Sequence, residues 1–200
     1  NMNNIFDVDR VLDKLLSVKS EYELNLIRKC GQIHSKAFNE VVPNILKEGL
    51  KEKEFQGILY NEKIKLGSQG VVRFKDPYNE VALGQFSFGK NALVNTNHDG
   101  PGGMQGLNAI IPIVGGEDAL KKGDLVFVDT SPMFEGYQTD KTQVYNFKGK
   151  VTNKERELHH ECMEILNKVS SLLKPGNKPS DIYTEIMSNI SSELKENFMG

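Results

Sequence analysis

Two segments with helical spacing flank a middle third of short apolar runs, and this order limits the chain to a mixed helix-and-strand architecture. Each helical segment opens with a capping box, at Ser20 and at Thr152, and is broken once, at Gly49 and at Pro175. Residues 71–147 alternate short β-type runs with Gly, Pro, Asn and Asp, as strands and turns do. The pattern predicts an α+β fold: an αα-hairpin, an antiparallel sheet and a second αα-hairpin.

The same spacing sets approximate bounds for each element. Residues 1–19 carry no strong cap and are expected to form a lead-in segment. A fourth helix is expected to begin with Ser180 as its cap and to continue through Leu194. The other helices are expected over residues 20–46, 51–66 and 152–173. The strands are expected over residues 71–74, 92–95, 109–114, 125–129 and 137–147.

The two helical segments resemble an internal repeat, since each runs as long helix, break, second helix and glycine. Strands follow the first copy, so a faithful second copy would continue into strands after Gly200. We therefore expect the sequence to end within a repeat, with the apolar face of its second helix pair uncovered and prone to dimerise, aggregate or disorder. The alternative is that two αα-hairpins, a common motif, simply look alike.

Composition narrows the classes of function. Lys and Arg number 25 against 27 Asp and Glu, so the formal charge of −2 offers no basic surface for nucleic acid or anionic membrane. No apolar run approaches the ~20 residues of a membrane helix, and the polar start lacks the order of a signal peptide. We expect a cytoplasmic protein that binds neither nucleic acid nor membrane.

The segment with the clearest chemistry is residues 125–145, where one apolar strand ends at Asp129 and another begins near Tyr137. A hairpin symmetric about residues 134–135 would place Asp129 directly opposite Asp140, with Cβ atoms ~5 Å apart. Two facing carboxylates repel each other unless a proton, a basic group or a cation lies between them. A divalent metal pair meets that need. The alternative is that one aspartate simply ends a strand, the other is exposed to solvent, and no ion binds to either.

This hairpin resembles the metal-binding hairpin of the pita-bread metallopeptidases, which include methionine aminopeptidase, Xaa-Pro aminopeptidase, prolidase and creatinase. An apolar strand ending in Asp129, a short loop, Gly-Tyr and then Thr-Asp-Lys-Thr carry the resemblance. Residues 18–29 and 49–55 resemble the first two helix starts of the Xaa-Pro branch. The resemblance implies an incomplete pita-bread fold, with residues 20–200 as the major part of a catalytic domain and the final strands missing.

The resemblance also implies roles for three side chains. Asp129 would chelate one ion, Asp140 would bridge two divalent ions (manganese, cobalt or zinc), and His98 would lie beside the substrate. The family completes its site with one histidine and two glutamates from later strands. After residue 150 this sequence offers no histidine or glutamate in a predicted strand. Gln143 and Thr130 stand where many relatives have arginine and glycine.

The activity implied is that of an Xaa-Pro aminopeptidase or dipeptidase, a dinuclear metallopeptidase in which an activated water hydrolyses the N-terminal peptide bond of a peptide. Its substrate would carry proline at the second position, and the protein would form a homodimer. With two of its ligands present, the isolated chain is expected to bind metal weakly and to be inactive. The alternative is a non-catalytic module that uses the same scaffold to bind peptide or protein partners.

Overall fold

The computed structural model of the chain describes residues 8–73, 80–81, 83–94, 103–108 and 114–197. The chain divides into two compact units, Asn1–Phe147 and Lys148–Gly200. The first unit mixes helices with strands, and the described part of the second is helical. No helix in the described ranges has the length and apolar character needed to cross a membrane.

The helices of the first unit confirm the predicted αα-hairpin. Glu23 N donates to Ser20 Oγ, while the Glu23 carboxylate accepts from Ser20 N over 2.6 Å, so the predicted capping box is present. Gly49 and Gly67 have φ values of +82° and +106°, which only glycine adopts without strain, and each follows the end of a helix. The helices are α1 (Asp9–Ser17), α2 (Glu21–Lys36), a π-helical segment (Ala37–Val41), α3 (Val42–Ile45) and α4 (Glu52–Lys65).

The strands of the first unit form one three-stranded antiparallel sheet and two short ribbons. The strands are β1 (Val72–Arg73), β2 (Glu80–Val81), β3 (Gln85–Phe88), β4 (Leu125–Thr130), β5 (Met133–Phe134), β6 (Tyr137–Gln138) and β7 (Lys141–Asn146). The sheet has the order β3-β4-β7, and the ribbons pair β1 with β2 and β5 with β6. The predicted strand over residues 125–129 is confirmed, and the one over 137–147 is divided into β6 and β7.

Two sequence-based expectations for the middle third were wrong. Residues 92–95 were expected to form a strand, but a 3-10 helix, Gly89–Leu93, occupies the first two of these positions. The side-chain amide of Asn91 in this helix donates a hydrogen bond to Glu52 and accepts one from Gln105 N. Strand β3 was not expected, although its residues Gln-Phe-Ser-Phe alternate polar and apolar side chains, and all four of them are buried. The expected strand over 109–114 falls almost entirely outside the described residues.

The apolar core lies between one face of the sheet and the helices. Phe55 of α4 packs edge-to-face against Phe86 and Phe88 of β3, with ring centroids 5.5 and 5.7 Å apart. Replacing a fully buried phenylalanine by alanine lowers the free energy of unfolding by roughly 3–5 kcal/mol. These three rings are therefore a principal source of stability. The other members of the cluster are Ala37, Phe38, Val42, Leu50, Leu59, Leu120, Val126, Val128 and Phe147.

In the second unit, the capping box at Thr152 is confirmed and opens a long helix. Ser180 does not cap the next helix: Pro179, with its fixed φ, is already the first helical residue. The expected continuation to Leu194 is also wrong, since the helix ends before Ser191, whose Oγ accepts from Leu194 N over 3.2 Å and begins another helix. The elements are α5 (Asn153–Leu172), α6 (Pro179–Asn189) and α7 (Ser192–Asn197).

The lead-in segment contains α1, none of whose residues is buried. A domain boundary at residue 20 stays a prediction.

Candidate metal centre

Asp129 lies near the end of β4, on the sheet face opposite the apolar core. Its neighbours across the sheet are Gln85 on β3 and Thr142 on β7. Because successive side chains of a strand point to opposite faces, Asp129 and these two neighbours share one face, while Val128 points into the core. Thr142 Oγ1 donates a hydrogen bond to Asp129 Oδ1 over 3.0 Å, so one carboxylate oxygen has a fixed partner.

Asp140 lies immediately before β7 and is exposed to solvent. Ser131 Oγ donates a hydrogen bond to Asp140 Oδ1 over 2.9 Å. The last pair of the β4–β7 ladder is Thr130 with Lys141, so the Ser131–Asp140 contact continues the same register by one residue on each side. Both aspartates therefore have a hydroxyl partner from the opposite arm of the hairpin.

The predicted register, with Asp129 directly opposite Asp140, was wrong. The turn is centred on Glu135 and Gly136, whose φ values of 51° and 81° are both positive, as in the two-residue turns that hairpins favour. This centre moves the partner of Asp129 by two positions, to Thr142. A shift of two residues keeps the same face, so Asp140 is a diagonal neighbour of Asp129, at a spacing that is typically ~7–8 Å between such positions.

A buried lysine lies behind the end of β4. Lys63 of α4 is 2% exposed, and its Nζ lies 2.5 Å from Thr130 Oγ1 and 3.5 Å from the Ser131 carbonyl oxygen. Thr130 Oγ1 in turn donates to the Leu83 carbonyl oxygen over 2.9 Å. Burial lowers the pKa of Lys63 to about 8, because the charged amine has lost its water. Lysine is almost never this buried without a role for its amine.

A buried histidine lies behind the other arm of the hairpin. His34 of α2 is 4% exposed, and its Nδ1 lies 3.1 Å from the hydroxyl of Thr139, the residue before Asp140. Its ring packs on Phe38 at a centroid distance of 4.6 Å. Burial, followed by the charges of Lys63 and Lys141, lowers the pKa of His34 to about 4, so its ring is neutral at pH 7. Helical spacing gave no sign of either buried group.

Helix α2 also holds the hairpin further along its length. The Tyr137 hydroxyl donates to the Glu23 carboxylate over 2.9 Å, and the Cys30 thiol donates to the Tyr137 carbonyl oxygen over 3.1 Å. The Tyr145 hydroxyl donates to the Phe38 carbonyl oxygen over 2.8 Å, within the π-helical segment. A π-helical turn leaves a carbonyl oxygen outside the regular pattern of helix hydrogen bonds. Here that oxygen belongs to Phe38, and it accepts from Tyr145 of β7.

A second buried carboxylate organises the loops beside the sheet. Glu52 is 0% exposed. Its Oε1 accepts from Phe88 N at 2.7 Å, and its Oε2 accepts from Gly116 N at 2.9 Å. Asn91 Nδ2 donates to both oxygens, at 2.9 and 2.8 Å. These donors come from two separate stretches of chain, residues 88–91 and Gly116, so Glu52 joins both to α4. His98 itself lies outside the described residues, and its role stays a prediction.

The chemistry of the two aspartates fits part of a divalent metal site. Carboxylate oxygens are ligands that manganese, and also cobalt or zinc, accept in proteins, and outer hydrogen bonds such as those of Thr142 and Ser131 orient such ligands. Within the ranges that the structure describes, no group of three or more His, Cys, Asp or Glu side chains is placed to hold an ion. Asp129 and Asp140, each with a hydroxyl partner, are therefore candidate oxygen ligands, and their role stays a prediction.

Comparisons with known proteins identify relatives in sequence and in fold. An uncharacterized peptidase of Staphylococcus aureus is 26% identical over 193 residues, covering 96% of this chain and 47% of the relative. The fold is similar to that of an X-Pro aminopeptidase from Thermotoga maritima, with a TM-score of 0.70 and 20% identity over 94% of this chain and 45% of that structure. A prolidase from Pyrococcus furiosus gives a TM-score of 0.73 and 19% identity over 98% of this chain and 50% of that structure.

The chain spans about half the length of these relatives, and the expectation of a partial pita-bread fold of the α+β class is confirmed. The model of metallopeptidase family M24 matches residues 25–200, which include most of the first helical segment, the whole hairpin and the second helical segment. The chain belongs to metallopeptidase family M24.

Proposed function

We propose that this chain supplies part of the active site of a metal-dependent peptidase. The observation that carries the proposal is the arrangement of Asp129 and Asp140 on the two arms of one hairpin, each with a hydroxyl donor from the opposite arm. Membership of a metallopeptidase family supports this assignment. Asp129 and Asp140 are called the carboxylate pair below.

Each member of the carboxylate pair has a proposed role. Asp129 and Asp140 would together hold the divalent metal, which would be manganese, cobalt or zinc. When bound, such a dinuclear site polarises a peptide carbonyl and activates a water molecule. The chain's own contribution is to hold the carboxylates: Thr142 orients Asp129, and Ser131 orients Asp140.

The proposed substrate is a peptide with proline at its second position, cleaved at its N-terminal peptide bond. The X-Pro aminopeptidase and prolidase that share this fold support that class. His98 is proposed to lie beside the substrate and to stabilise the tetrahedral intermediate. Residues 20–200 would then form the major part of a catalytic domain in a cytoplasmic homodimer.

Hydrolysis of an Xaa-Pro dipeptide, with the Xaa-Ala dipeptide as a comparison, tests the proposal. Because two carboxylates are only part of a dinuclear ligand set, we expect no turnover from the 200-residue chain and manganese-dependent turnover from the full-length gene product. Asp129→Asn or Asp140→Asn should abolish that turnover, whereas Asp181→Asn, at an exposed position of α6, should leave it unchanged.

Two results would contradict the proposal. One is hydrolysis by the full-length product that neither aspartate substitution reduces. The other is an absence of cleavage of either dipeptide with any of the three metals, which would favour a non-catalytic module that binds peptide or protein partners.

A further inference from the structure

The ammonium group of Lys63 is buried among neutral partners. Its Nζ contacts the Thr130 hydroxyl and the Ser131 carbonyl oxygen, and the side chain is 2% exposed. Within the described part of the chain, no carboxylate oxygen forms an ion pair with it. Removing a charged amine from water is costly, and neutral acceptors compensate for that cost only in part.

Packing alone does not account for a lysine at this position. Replacing a buried charge by an apolar side chain of similar volume is often neutral or stabilising. Methionine or leucine would fill the space between α4 and β4 without the desolvation cost. The amine must therefore serve something other than stability if its presence is to be explained.

The contacts of the amine lead directly to the hairpin. Lys63 Nζ donates to Thr130 Oγ1, which leaves the Thr130 hydroxyl hydrogen to reach the Leu83 carbonyl oxygen at 2.9 Å. The same amine contacts the carbonyl oxygen of Ser131, whose hydroxyl bonds Asp140. The two residues that follow Asp129 are thus fixed from behind by one side chain.

We propose that Lys63 is a positioning residue for the carboxylate pair: it fixes Thr130 and Ser131 so that the Ser131 hydroxyl holds Asp140 diagonally across from Asp129. The inference rests on the proposed function, since it assigns Lys63 to the same metal site. Relatives with glycine in place of Thr130 would lack the hydroxyl to which this lysine bonds.

The test compares manganese binding with stability in matched variants of the 200-residue chain. Manganese binding is measured from the paramagnetic broadening of amide resonances in the hairpin per increment of Mn²⁺, and stability from urea unfolding. Lys63→Met should lower the manganese association constant roughly ten-fold to a hundred-fold, as loss of an outer-shell partner does. The urea midpoint should be unchanged or raised.

Substitutions at Thr130 give an independent route to the same contact. Thr130→Ser keeps the hydroxyl and should retain wild-type manganese binding, whereas the isosteric Thr130→Val should lower it as Lys63→Met does. The Lys63→Met/Thr130→Val double variant should bind no more weakly than either single variant, because both remove one interaction. If Lys63→Met does not fold, the comparison of the serine and valine variants decides.

The inference is overturned if Lys63→Met, or Thr130→Val where the former does not fold, binds manganese within two-fold of the wild-type chain. A lower urea midpoint with unchanged manganese binding would assign Lys63 a purely structural role. Asp129→Asn/Asp140→Asn separates the two proposals. Loss of binding in that variant with no effect of Lys63→Met rejects the role of Lys63 alone, and unchanged binding in it rejects both.

Discussion

Asp129 lies directly opposite Thr142 across the β4–β7 ladder, and the Thr142 hydroxyl donates to Asp129 Oδ1 over 3.0 Å. The pairing gives one oxygen of the Asp129 carboxylate a hydrogen-bond partner from the opposite arm of the hairpin. Ser131 does the same for Asp140. The two aspartates are thus arranged by hydroxyls from opposite arms rather than by contact with each other.

Removing the Thr142 hydroxyl should weaken metal binding without unfolding the chain. Thr142→Val keeps the β-branched shape that suits a strand and removes only the donor to Asp129. We expect a fall in manganese affinity of roughly ten-fold, measured by competition with a fluorescent metal indicator. Thr142→Ser is the control, since it retains the donor. Equal affinities in the valine and serine variants would refute this role.

The buried His34 should make stability depend on pH. An unfolded histidine takes up a proton near pH 6.5, whereas His34 in the folded chain does so only near pH 4. As pH falls, the unfolded state therefore binds the proton first, so the contribution of neutral His34 is complete above pH 6.5 and is lost toward pH 4. The groups around the ring are Lys63 and Lys141, which oppose protonation, and Asp140, which favours it.

Urea unfolding at pH 7 and pH 5 measures this contribution. His34→Gln should reduce the loss of unfolding free energy between these two values by about 2 kcal/mol relative to the wild-type chain. The exposed His160 provides the matched control, and His160→Gln should leave the loss unchanged. An identical loss in wild type and His34→Gln would show that the ring is not held neutral by burial.

Glu52 should be among the residues on which stability depends most. Glu52→Ala would leave the Phe88 and Gly116 amides and the Asn91 side chain without their acceptor. Loss of several buried hydrogen bonds to a charged group predicts a cost of at least about 3 kcal/mol. Calorimetric unfolding should show a Tm lower by roughly 6 °C or more.

Glu62, on the same helix, serves as the control for Glu52. It pairs at 2.6 Å with Lys65, whose side chain is 61% exposed, and such surface pairs contribute little. Glu62→Ala should therefore lower the Tm by less than about 2 °C. A Glu52→Ala variant as stable as Glu62→Ala would show that the two segments bonded to Glu52 do not depend on the buried carboxylate.

The second unit should associate with itself through α5. This helix has no buried residue, and its Met163 and Leu166, three positions apart on one face, are 40% and 59% exposed. Sedimentation velocity should show a concentration-dependent increase in mass that Leu166→Lys reduces. Ser170→Lys adds the same charge at another exposed position of α5 and should not. A monomer at all concentrations would contradict the expected homodimer.

Most of the helices and the hairpin could be predicted from sequence because each depends on local patterns. Capping boxes at Ser20 and Thr152 mark helix starts, and both are present in the structure. The register could not be predicted, since the hairpin turns at Glu135 and Gly136 instead of at the Asn-Gly or Asp-Gly pair that signals such a turn.

The buried supports of the site were not predictable for a different reason. Lys63 and His34 lie on helices whose sequence pattern treats lysine and histidine as surface residues. Lys63 contacts Thr130, 67 positions further along the chain, and His34 contacts Thr139, 105 positions further along. The spacing of residues within one helix does not predict contacts of such long range. Strand β3 was missed although its four residues alternate polar and apolar side chains, and the burial of its polar Gln85 and Ser87 could not be predicted from that alternation.

The central claim is that the carboxylate pair binds a divalent metal. Its most direct test is the broadening of amide resonances by substoichiometric Mn²⁺ in the wild-type chain, in Asp129→Asn/Asp140→Asn and in the exposed control Asp181→Asn. We predict broadening centred on residues 129–131 and 140–142 that disappears in the double variant and persists in the control. Broadening that is unchanged in the double variant, or that is centred on other acidic residues, would contradict the claim.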